Sequence, residues 1–181
     1  DGIFETLGQV VPFEMPMTGI YPIAVQVTDI GGLTAVDTAV VAVYDPSGLF
    51  VTGGGWIPVA EGKGEFSFDA KYTKKNPLPE AAITYLIEKT GLYFYSTSYE
   101  WLVVDQGSAW LRGSGNLNGV DGYIFLLSAK DGDEKLGGDG IDKFRIQIWD
   151  ASGALAYDSE LGASEFAFPT TPLGGGSITV H

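Results

Sequence analysis

The amino-acid sequence predicts an all-β protein, built as an antiparallel sandwich or barrel. Three observations carry this. The 181 residues include 26 glycines, set between short apolar runs like turns between strands. Residues 66–72 (FSFDAKY) and 144–150 (FRIQIWD) alternate apolar with polar, as strands with one buried and one solvated face do. No segment sustains the 3.6-residue period of an amphipathic helix.

In chain order, residues 20–28 (IYPIAVQVT) are β-branched and alternating and predict a strand. Asp29-Ile30-Gly31-Gly32 predicts a turn, and residues 33–43 a second strand that completes a hairpin. Residues 9–15 predict a short strand before it. Asp45-Pro46-Ser47-Gly48 predicts a loop, and a boundary placed there divides the chain into units 1–45 and 46–181. Beyond it strands are predicted at 49–57, 64–72, 82–89, 91–98, 100–105, 108–117, 122–130, 142–150, 154–159 and 177–180. Residues 122–130 (GYIFLLSAK) are more continuously apolar, as a central strand would be, and Pro77-Leu78-Pro79-Glu80 interrupts any helix.

Hydrophobic residues make up 45% and aromatics 13%, enough for a real core. Ten basic residues face 23 acidic ones, a formal net charge of −13, which argues against nucleic acid and against an anionic membrane surface. No apolar run approaches the roughly 20 residues that span a bilayer as a helix. The absence of cysteine removes disulfides, thiolate metal sites and cysteine nucleophiles, and leans toward a bacterial or archaeal source. No Asn-x-Ser/Thr acceptor occurs. The start at Asp1-Gly2, without a Met, predicts a fragment of a longer secreted protein.

Residues 1–44 resemble the C-terminal part of a polycystic-kidney-disease (PKD) type immunoglobulin-like domain. The likeness rests on Asp1-Gly2-Ile3-Phe4-Glu5-Thr6, Gly19-Ile20-Tyr21, Val25-Gln26-Val27-Thr28-Asp29, Gly31-Gly32-Leu33-Thr34-Ala35 and Asp37-Thr38. It implies a partial sandwich whose first strands would precede Asp1, with Tyr21 as a corner tyrosine. The open strand edges of residues 9–43 are then expected to be covered by another copy, another part of the precursor, or the C-terminal unit. Residues 49–180 resemble a C-terminal module of secreted bacterial and archaeal repeat proteins. That likeness rests on residues 51–57, 66–72, 96–104, 113–119, 142–150 and 156–159, and it implies an extracellular or cell-surface setting more than a mechanism.

Candidate chemistry is sparse. His181, the only histidine, is the last residue, which argues against imidazole catalysis or a histidine zinc site. With 23 acidic residues some carboxylates always lie close together, and no motif singles out a catalytic pair. Asp131, Asp133, Glu134, Asp139 and Asp142 crowd one glycine-rich loop. They read either as a Ca2+ site of carboxylates and carbonyls or as a plain acidic turn. Residues 137–144 fit a calcium-binding β-helix nonapeptide, which binds only when stacked in tandem, and here it occurs once.

Sugar rings stack on exposed aromatic faces, and Trp56, Tyr93, Tyr95, Tyr99, Trp101, Trp110 and Trp149 are the candidates, the first five foremost. Core packing is the competing reading for each. Tyr93 and Tyr95 share one face with Phe94 opposite, so one face must carry exposed aromatics or meet a second layer. The glycine runs 53–55 and 174–176 lack the Gly-Lys-Ser/Thr of a phosphate loop and predict tight turns or close strand packing. The resulting expectation is a non-catalytic extracellular structural or adhesive module, with a carbohydrate-binding appendage of a secreted hydrolase as the alternative. Its expected partners are other domains or copies of the precursor, and a polysaccharide.

Overall fold

The computed structural model describes residues 7–8, 12–15, 17–46, 50–73, 76–135 and 138–181. Among these the chain is all-β, as expected, with antiparallel pairing throughout. Strands β1 (Gly19–Thr28) and β2 (Thr34–Val43) form a two-stranded ribbon. Strands β3 (Phe50–Val59), β4 (Gly62–Thr73), β5 (Asn76–Ile87), β6 (Leu92–Asp105), β7 (Ser108–Leu117), β8 (Val120–Lys130) and β9 (Lys143–Trp149) follow one another in a meander. Strand β10 (Leu155–Asp158) joins the edge at β9, and β11 (Gly175–Val180) crosses over to the opposite edge at β3.

The meander curls until its two ends meet. In a flat sheet β4 and β9, five strand spacings apart, would be about 24 Å from each other. Instead the rings of Phe66 on β4 and Phe144 on β9 stack at 3.9 Å, and the hydroxyls of Tyr85 on β5 and Tyr157 on β10 meet at 2.7 Å. The inner face is the main core. Alternation puts Phe66, Phe68, Ala70 and Tyr72 of β4 into it, while Glu65, Ser67, Asp69 and Lys71 remain exposed.

The seam between the two ends is short and polar. Leu173 N–H donates to Asp142 O (3.0 Å) beside β9, and Gly174 N–H donates to Trp56 O (2.8 Å) on β3. Two consecutive residues thus tie the edges together. Along β11 no strand continues the closure; two carboxylates do so. Asp142 Oδ2 accepts from Ile178 N–H (2.7 Å) and Asp131 Oδ2 from Val180 N–H (2.9 Å), satisfying the donors that β11 turns away from β3. The two glycine runs meet across the β3–β11 pair, where Gly176 is in register with Gly55. A Cβ on Gly55 would overlap the Gly175 carbonyl, so close strand packing is what they serve.

The outer face is treated differently along the sheet. Over β6–β9 it is covered by residues 159–171 and by the base of the ribbon. Val103, Trp110 and Leu126 form a second cluster there, with Ile20, Ala42, Trp101, Trp149 and Phe166 against it. Arg145, fully buried, holds this layer down. It bonds both oxygens of Asp158 (3.0 and 2.8 Å) and reaches the carbonyls of Ser164 (2.7 Å) and Ala163 (3.2 Å). A buried guanidinium is tolerated only when so fully partnered. Over β3–β5 and the start of β6 no layer covers the outer face among the described residues.

Several boundaries differ from those expected. Residues 91–98 and 100–105 are one strand, β6, interrupted by irregularities between Ser96 and Ser98 and between Tyr99 and Trp101. Pro77 and Pro79 lie within β5, in a stretch paired with β4 alone, so the missing amide hydrogens cost no ladder bond on the free side. Of the strand expected at 9–15, residues 12–15 are not strand and 9–11 lie outside the described residues, as do Asp1–Thr6 and Ser47–Leu49.

Two predictions follow from this core. Asp131→Ala and Asp142→Ala should each lower the unfolding free energy by about 1–3 kcal/mol, because each leaves two part-buried amide donors without the charged acceptor they now meet, with the larger loss for Asp142, whose donors sit on the buried Gly132 and Ile178. Urea denaturation checks this, and midpoints equal to wild type would refute the carboxylate seam. The second concerns alkaline pH. Burial pushes the Tyr72 and Tyr157 hydroxyls up to about 12 and raises Tyr85 further in the same direction. An unfolded tyrosine titrates near 10, so from about pH 10 to 12 the unfolded chain has released protons that the folded chain keeps. Stability should therefore fall as pH rises through that window, and less steeply in Tyr85→Phe, as read from melting temperatures across the alkaline range.

Candidate functional site

The uncovered outer face of β3–β6 is the one place where expected ligand-binding aromatics reach solvent side by side. Cross-strand register sets residues on it in rows. One row runs Gly175, Trp56, Glu65, Leu86, Tyr93, and the next runs Ser177, Gly54, Ser67, Thr84, Tyr95. A third row carries Thr179, Thr52, Asp69 and Ala82. Small residues, hydroxyls and carboxylates therefore lie around the aromatic rings, with Leu86 beside Tyr93 as the one aliphatic side chain of the first row.

Tyr93 and Tyr95 are 44% and 38% exposed, with ring centroids 5.9 Å apart, while Phe94 between them is fully buried. The expectation of a shared face is met, and the choice between exposed aromatics and a second layer resolves to exposure. The strand beneath is well fixed: Tyr93 N–H donates to Asn118 Oδ1 (2.7 Å), and Tyr93 O accepts from Asn118 N–H (2.9 Å). Asn118 can do this because it sits at φ 52°, in the left-handed region that asparagine tolerates.

Trp56 lies three strands from Tyr93, about 14 Å along the row. It is half-buried. Lys63 Nζ stands 4.3 Å from its ring centre, a cation–π contact, and Gly174 and Gly175 lie so close that a Cβ on Gly174 would overlap the indole. Trp56 thus anchors β11 as well as edging the open face.

The other aromatic candidates do not join this group. The first β6 irregularity inserts a residue and turns Tyr99 inward, where its hydroxyl bonds Ser96 Oγ (2.7 Å) and burial raises its pKa. The second turns Trp101 outward again, under the ribbon base. Trp110 is buried, with no partner for its indole N–H among the described residues, edge-on to Phe168 at 5.0 Å, and the Trp149 ring lies 5.7 Å from the Arg112 guanidinium.

The acidic loop between β8 and β9 is largely committed to its own fold. Besides the seam bonds, Asp131 Oδ1 accepts from Asp133 N–H (2.8 Å) and Asp142 Oδ1 from Gly132 N–H (2.8 Å). Asp139 pairs with Lys143 and lies 3.7 Å from Lys130; the Lys143 bond foremost holds its carboxyl below the usual carboxylate range. Glu134 accepts from Lys135 N–H (3.0 Å), and the Asp133 side chain is exposed. A shallow depression of about 290 Å³ opens here, lined by Asp133, Ile141, Asp142 and Gly174–Gly176. Among the described residues no three or more Asp, Glu, His or Cys side chains group as metal ligands do, and Gly137 of the nonapeptide pattern lies outside them. His181 stacks on Phe50 with centroids 4.0 Å apart.

Sequence reasoning reached the Tyr93–Tyr95 pair but missed the partners around it, Glu65, Ser67, Asp69 and Thr84. Each sits at a solvent-facing position of an alternating strand, which marks it as exposed; only the register across four strands shows that they share a surface with the tyrosines. In comparisons with known proteins, no family model, no curated protein and no solved structure matches the chain.

Proposed function

We propose that this chain is a non-catalytic extracellular adhesive module that holds a neutral polysaccharide on the outer face of β3–β6. The Tyr93–Tyr95 pair carries the reading: two adjacent rings, exposed on a regular sheet that buries the residue between them. Rigid aromatic faces suit the apolar faces of sugar rings at small entropic cost. The hydroxyls of Ser67, Thr84 and Thr52 and the carboxylates of Glu65 and Asp69 offer bonds to sugar hydroxyls along the same rows. A net charge of −13 disfavours anionic polymers, so the expected ligand is uncharged.

A structural role within a larger array of β-domains is a second reading. It is supported by the β1–β2 ribbon, whose base is seated in the second cluster while the rest projects. The calcium reading of the 131–142 loop is checked by melting with the ion and with a chelator, since binding to the folded state raises stability by mass action.

Affinity electrophoresis against plant, algal and bacterial neutral polysaccharides tests the main reading. Wild type should be retarded by at least one class of polymer. Tyr93→Ala and Tyr95→Ala should each weaken binding roughly tenfold, about 1.4 kcal/mol, whereas Trp101→Phe, away from the face, should not. Free migration of wild type through every polymer would overturn it.

A further inference from the structure

We infer that the open edge of β2 pairs with β2 of a second copy, joining two ribbons into one four-stranded sheet. The ribbon leaves much apolar surface uncovered: Val25, Val27, Val36, Val40 and Val41 are 55%, 64%, 59%, 41% and 37% exposed. A lone two-stranded ribbon is marginal in water, and three or more strands are the usual remedy.

The hydrogen-bond phase determines which edge is free. Asp29 N–H donates to Leu33 O (2.9 Å), so odd-numbered residues face the partner strand and even-numbered ones turn their amides outward. On β1 the outward row includes Pro22, opposite Val40, which has no amide hydrogen; that edge is blocked to a further strand. On β2 the outward row is Thr34, Val36, Thr38, Val40 and Ala42, with no proline in it. Among the described residues its guard is Asp37, whose Oδ1 accepts from Thr38 N–H (2.9 Å), a bond that strand pairing at Thr38 has to replace.

This edge is complementary to itself. An antiparallel β2–β2 pair with its two-fold axis at Thr38 sets Thr38 against Thr38 of the partner subunit and Val36 against Val40 of the partner subunit. These are favourable cross-strand pairs. On the opposite face Asp37 meets Ala39 of the partner subunit, so like charges are not set against each other. Residues 19–43 contain no Lys or Arg and only Asp29 and Asp37 as acids, so the strongly acidic chain approaches a second copy through a weakly charged part. A small edge contact of this kind is weak and concentration-dependent.

Sedimentation velocity of the full chain, from dilute solution to about 1 mM, the weak end of the affinity scale, provides the test. Wild type should shift from monomer toward dimer. Thr38→Lys, which opposes two cations at the axis, and Val40→Pro, which reproduces on β2 the block that Pro22 makes on β1, should both stay monomeric at every concentration. Unchanged near-ultraviolet circular dichroism would show that the main sheet of each variant remains folded. A wild type that stays monomeric throughout, or a dimer that persists in either folded variant, would overturn the proposal.

Discussion

Asp131 and Asp142 hold the two ends of a curled sheet together, and the division of its surface follows from that closure. A meander of this length could lie open, with a bare row of amides along β11. Here Ile178 and Val180 find carboxylate acceptors instead of a neighbouring strand. Carboxylates suit a seam where two edges meet without matching register: a side chain needs only to reach, whereas a strand must align several residues at once. Each of the two acids also accepts an amide from its own loop, which fixes its position independently of β11. With the seam closed, Phe66 can stack on Phe144 and the inner face becomes a core excluded from water.

The closed sheet has one interior but two kinds of exterior. Over β6–β9 the outer face carries Val103, Trp110 and Leu126 where a solvated strand would carry polar residues, and its polar members Ser128, Arg145 and Gln147 are buried with them. That face needs a cover, and residues 159–171 supply one, pinned by Arg145 and Asp158 and by Arg112 with Glu165 at 3.0 Å. Over β3–β5 Thr52, Glu65, Ser67, Asp69, Lys71 and Thr84 make most of the outer face polar, with Trp56 and Leu86 as its larger apolar members. The tyrosines at the start of β6 stand where the polar exterior begins, so their exposure is a property of the region rather than of two isolated side chains.

Much of this was legible in the sequence, for a simple reason. Alternation is a local signal, and β4 displays it because one of its faces is core and the other solvated; β9 alternates too, but its expected solvated face is not found, since Arg145 and Gln147 are buried beneath residues 159–171. The acidic loop was legible as a cluster, but its role was not, because its acceptors are matched to donors 36 and 49 residues away. The β6 irregularities were hidden for a related cause. Tyr93, Tyr95, Tyr99 and Trp101 all fall on odd positions, and a strict two-residue period sets them on one face. Residues inserted against β7 break that period without leaving any composition of their own. The prolines at 77 and 79 excluded a helix, as the sequence suggested, and the structure adds that they stand in the part of β5 that β6 does not pair.

The position of those irregularities bears on what the open face can do. Were β6 regular to its end, Tyr99 and Trp101 would extend the aromatic row past Tyr95, and the inner core would lose the ring that packs edge-on to Phe125 at 6.5 Å. The shift turns Tyr99 into the core and places Trp101 under the ribbon base, so the exposed row stops after two rings. Beyond that point the exterior belongs to the second cluster and to the ribbon that Ile20 and Ala42 seat there. A short aromatic patch and a projecting ribbon are thus separated by two changes of phase within a single strand, the first turning Tyr99 inward and the second returning Trp101 to the outer face beneath the ribbon.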